Sequence, residues 1–113
     1  MRKHQIESAA FEVATQVRAV EDSIDQALAE IAELQGRMIH ARSVAGIGVM
    51  TGHESLEHLA AALNGLVSAR GGMGNCHRAL LEATQRVPGL RTVGFGDTDE
   101  CPKTASANLR VVA

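Results

Sequence analysis

Large side chains are what this sequence lacks. Its 113 residues include two aromatics, Phe11 and Phe95, and no tryptophan or tyrosine. A self-contained globular core leans on such residues for its burial energy. An alanine-rich chain without them suits close helix–helix packing, in which small residues let backbones approach. A domain this small is marginally stable unless it pairs with another copy. Positive charge is also scarce. The formal net charge is −2, and no basic block exists beyond Arg2 and Lys3. Nucleic-acid binding needs a positive footprint along the phosphate backbone, so no nucleic-acid partner is expected. No apolar run approaches the roughly 18 residues of a membrane span, and none resembles a signal-peptide core, so no membrane partner is expected either. The two cysteines, Cys76 and Cys101, lack the CxxC spacing of a zinc or redox motif. These absences together describe a reduced, soluble, cytoplasmic protein of one domain with no cofactor.

What is present is periodicity. Steps of four and three from Ile6 run through Ala10, Val13, Val17, Val20, Ile24, Ala27, Ile31, Leu34, Met38, Ala41 and Ala45. This is the seam of a long amphipathic helix in coiled-coil or bundle geometry. Glu7, Glu12, Glu21, Asp22, Asp25, Glu30 and Glu33 lie between the seam positions and form an acidic, solvated surface. A helix over 5–44 would be about 60 Å long, too long to be stable without a partner surface. Gly46, Gly48 and Gly52 end it, giving a turn over 45–52. A second seam follows over 53–87: Leu56, Leu59, Leu63, Leu66, Arg70, Met73, His77, Leu80, Thr84 and Val87. Three glycines in "RGGMGN" weaken this helix by about 1 kcal/mol each relative to alanine. Either it continues through 71–75, the glycines allowing tight backbone approach, or it breaks and restarts with Asn75 as N-cap. The seam keeps its phase across the glycines, which favours continuity. Pro88 and Gly89 end the helical part. Residues 89–113 form a tail without helical period, either irregular or paired as short strands through "LRTVGF" and "NLRVV".

The fold expected is therefore all-α: a long antiparallel helical hairpin over 1–88 plus a tail. Val17, Val20, Ile24, Ile31 and Leu34 on the first helix, with Leu56, Leu63 and Leu66 on the second, form the expected interaction seam. Ala9, Phe11, Ala14, Leu28, Ala32 and Ile39, with Ala60, Val67 and Leu81, widen the apolar stripe beyond one seam. That surplus would forfeit about 25 cal/mol per Å² if left in water. Two hairpins packed as a four-helix bundle would cover it. The expected partner is thus a second copy or another helical protein. Asp25, Arg70 and His77 are polar seam positions. With a turn near Ile47 and Gly48, Arg70 falls level with Asp25, and His77 near Arg18 and Glu21. Such a pair fixes register at some cost in stability.

Chemistry is sought first in "TGHESLEH" (residues 51–58), where two histidines and two glutamates crowd together. His53 with Glu57, and Glu54 with His58, each share a helix face. A metal site needs three or four converging ligands. Leu56, Leu59 and Leu63 define the buried side, Glu54 and His58 point away from it, and His40 faces away from its own seam. No metal site is expected. Thr51 and Glu54 have capping-box spacing, and Glu57 complements the helix dipole. The segment "HESLEHLAAALNGL" (residues 53–66) resembles the phosphoacceptor segment of dimeric histidine phosphotransfer domains, themselves helical hairpins forming four-helix bundles. His53 and Glu54 match its leading histidine and acid, and the resemblance implies His53 as phosphoacceptor. The resemblance covers 14 of 113 residues, lacks the family's following proline and basic residue, and places the histidine on the second helix. Cys76 and His77 are adjacent and project about 100° apart, so they form no nucleophile–base pair. "GIG" and "GGMG" lack the strand–turn–helix setting of a phosphate loop. A non-catalytic interaction, adaptor or regulatory module is expected. In the tail, Phe95, Leu109 and Val111 are the candidate partner contacts.

Overall fold

A computed structural model describes residues 2–88 of the chain. Those residues form an all-α helical hairpin: α1, Arg2–Ala45, and α2, His53–Thr84, with no strand among the described residues. The tail, including Phe95, Leu109 and Val111 and the irregular or short-strand conformation expected for it, lies outside the described residues.

The first helix holds 44 residues and the second 32. Its C-terminus closes by chain geometry that the glycines make possible. Gly46, at φ 69°, donates its N–H to the Ser43 carbonyl, and the Ile47 N–H reaches the Arg42 carbonyl. This is the double hydrogen bond of a Schellman motif, which satisfies carbonyls the helix leaves open. Arg42 strengthens it by donating from its guanidinium to the Ile47 carbonyl at 3.1 Å. The second helix starts from Gly52, at φ 82°, whose carbonyl accepts the first helical N–H, that of Leu56. The cap is therefore Gly52, not Thr51. Thr51 stands one residue outside the helix, its N–H bonded to the Gly48 carbonyl, so the capping-box spacing is not used.

The second helix is continuous through Gly71, Gly72 and Gly74. Asn75 sits inside it and accepts a hydrogen bond from Arg78 instead of starting a new helix. Tight backbone approach does not explain the glycines. A Cβ built at Gly71, Gly72 or Gly74 meets nothing within 4 Å. After Thr84 the chain tightens into a turn, with Gln85, Arg86 and Val87 each donating to a carbonyl three residues back.

The described residues fall into two compact units, each containing part of both helices. In the unit formed by 2–19 and 74–88, Val17, His77 and Thr84 are buried. Thr84 satisfies its hydroxyl locally by donating to the Leu81 carbonyl at 2.7 Å. Ile6, Ala10, Ala14, Leu80, Leu81 and Val87 are half-buried, whereas Phe11 is 69% exposed. In the unit Val20–Met73 no residue is buried. Its apolar contact is a row of half-buried side chains: Val20, Ile24, Ala27, Leu28, Ile31 and Met38 from α1, and Leu56, Leu59, Leu63, Leu66 and Met73 from α2. Leu34 and Ala41, although in the seven-residue series, are exposed, while Arg42 is half-buried. A straight helix drifts about 20° per heptad from a strict 3.5 repeat, so the inward face moves off the series near its end.

Candidate interaction surface

The hairpin end lies wholly within the unit Val20–Met73. Between Val44 and Met50 the sequence reads "VAGIGVM", without one polar side chain, in and beside a turn. Turns normally run over the surface and are polar. Here Val44, Val49 and Met50 are 70–75% exposed. Val49 also lines a groove of about 470 Å³, whose other apolar lining is Met38, Ile39, Ala41, Ile47 and Leu56. Arg42 and His53 line it too, and among the described residues no carboxylate does. A smaller groove of about 200 Å³ follows along the same unit, lined by Ile31 and Gln35 of α1 and Leu56, Leu59, Ala60 and Leu63 of α2.

The seam residues expected from periodicity divide as follows. Val17 is buried; Val20, Ile24, Ile31, Leu56, Leu63 and Leu66 are half-buried; Leu34 is turned outward. Among the polar positions, Arg70 donates to Asp25 across the hairpin at 2.7 Å, both side chains remaining more than half exposed. The Arg70 guanidinium is held above its ordinary pKa, first by this hydrogen bond and then by the carboxylate charge. Its solvent exposure screens the pair, so it adds little to stability. His77 is buried in the other unit.

The histidine–glutamate cluster resolves into two separate exposed pairs. His53 Nε2 lies 3.9 Å from Glu57 and His58 Nε2 lies 3.5 Å from Glu54, each one helical turn apart. Among the described residues, no three histidine, cysteine or acidic side chains come together as metal ligands would. Cys76 is a free, exposed thiol. No described helix is long and apolar enough to cross a membrane.

Sequence reasoning read residues 44–50 only as a helix stop and so missed Arg42, Ile47, Val49 and Met50 as surface-forming residues. The available signal was the absence of polar side chains from a segment required to turn. Comparison with family models, curated proteins and solved structures finds no match to this chain.

Proposed function

We propose that this chain is a non-catalytic protein–protein interaction module, an adaptor or regulator that acts in the cytoplasm through helix packing and its C-terminal tail. One observation carries this reading. Val17 is the only buried apolar residue among those described, while Phe11, Val13, Leu34, Ile39, Val44, Ile47, Val49, Met50 and Val67 are each at least 42% exposed. A two-helix hairpin leaves one side of each helix uncovered, and apolar surface on this scale is what a protein partner covers. The partner is a second copy, completing a four-helix bundle, or another helical protein. Sedimentation of the full chain across micromolar concentrations tests the self-paired form. A dimer that Ile39→Asp and Val67→Asp weaken supports it, and a compact monomer throughout overturns it.

Histidine phosphotransfer is the second reading. It is favoured by the half-exposed His53 imidazole, whose Nε2 lies 3.9 Å from Glu57. Incubation with a phosphodonor kinase separates the two. A phosphohistidine lost in His53→Ala would replace the adaptor reading.

A further inference from the structure

Resting on the self-paired reading, we propose that the 470 Å³ groove at the hairpin end receives a segment of a second copy, residues 93–100, "VGFGDTDE". The two surfaces match in chemistry. The groove offers an apolar wall of Met38, Ile39, Ile47, Val49 and Leu56, with Arg42 beside it. The segment offers one aromatic anchor, Phe95, set between Gly94 and Gly96, followed by Asp97, Asp99 and Glu100.

Charge favours this pairing. From Leu34 to His53 the sequence contains Arg37 and Arg42 and no acidic residue. Arg37 is held by Glu33 at 2.7 Å, and His53 has Glu57 beside it at 3.9 Å. Among the described residues, Arg42 is the cation that lines the groove with no carboxylate in ion-pair distance. One of its five N–H donors serves the Ile47 carbonyl, and the planar guanidinium can engage a carboxylate with others. Two copies meeting groove to groove would set Arg42 against Arg42, which disfavours the groove as its own partner.

The self-paired reading makes the donor another copy, and its own chain is the alternative that the isotope test below separates. Each copy then gives a tail and receives one, as a closed twofold dimer requires.

The test places the photo-cross-linker p-benzoylphenylalanine at position 95 of the full chain. Ordinary and nitrogen-15-labelled copies are mixed, irradiated and mapped by mass spectrometry. The expected products join residue 95 of one isotope to Met38, Ile39, Val49 or Leu56 of the other. Arg42→Glu lowers their yield by at least about fivefold, and reversing the tail charge with Asp97→Arg and Asp99→Arg in the same chain restores it. Arg42 also braces the turn, so Asp97→Lys with Asp99→Lys and Glu100→Lys, made in the tail alone, must lower the yield similarly. Products confined to one isotope, products on residues 2–19 or 74–88, or no product at all would overturn the proposal. Sedimentation of the same samples separates the two levels. A dimer without groove products removes the tail-docking inference alone, whereas a monomer removes self-pairing as well.

Discussion

Alanine at Gly71, Gly72 and Gly74 should stabilise the hairpin, each position separately and all three together. The three residues lie inside α2, none has the positive φ seen at Gly46 and Gly52, and a Cβ at any of them meets nothing within 4 Å. The effect is therefore the backbone term alone. Glycine in a helix interior costs about 1 kcal/mol relative to alanine, because it forgoes more conformational freedom on ordering. No compensating contact is removed and no overlap is introduced. The single variants should each gain about 1 kcal/mol and the triple variant about 2–3 kcal/mol. For a domain of this size, 1 kcal/mol moves Tm by about 4–8 °C, so the triple variant should melt roughly 10–20 °C higher. Thermal and urea unfolding followed by far-ultraviolet circular dichroism, at several protein concentrations, measures this directly. A Tm unchanged or lowered in all four variants would refute the reasoning. It would show that these positions face something solid, and a loss that grows with protein concentration would identify that surface as a second copy.

Two further outcomes test the local and long-range devices that set the hairpin. Gly46→Ala forces a Cβ into the left-handed conformation that the Schellman motif needs, at a cost of about 1–2 kcal/mol. Urea unfolding reads the loss, and an unchanged midpoint would contradict the proposed terminus. For the exposed Asp25–Arg70 pair, a double-mutant cycle with Asp25→Asn and Arg70→Gln should show a small coupling that weakens as salt rises. A large, salt-insensitive coupling would mean that the pair is covered in the working assembly.

The two seams were legible because a helix's period is written into the order of its residues. Positions four and three apart must share a face whatever surrounds them. The same logic set Asp25 level with Arg70, since a turn of known position fixes which residues of an antiparallel pair meet. The outward swing of Leu34 was not legible. It depends on the accumulated difference between 3.6 residues per turn and a seven-residue repeat, which a list of apolar positions conceals. The capping site was also misplaced by one residue, because Thr51 and Glu54 have the required spacing while Gly52, at positive φ, takes the cap position after Thr51.

Composition and period thus determined by themselves that residues 2–88 are two long helices turned back on each other, with few large side chains to bury between them. Only the tertiary structure decided where the shortfall lies. The burial of Val17, His77 and Thr84 is confined to one unit, and the open apolar groove beside Arg42 to the other. Burial at a given seam position depends on what the opposite helix sets against it. That is a property of two segments in space, and neither segment carries it in its own order of residues.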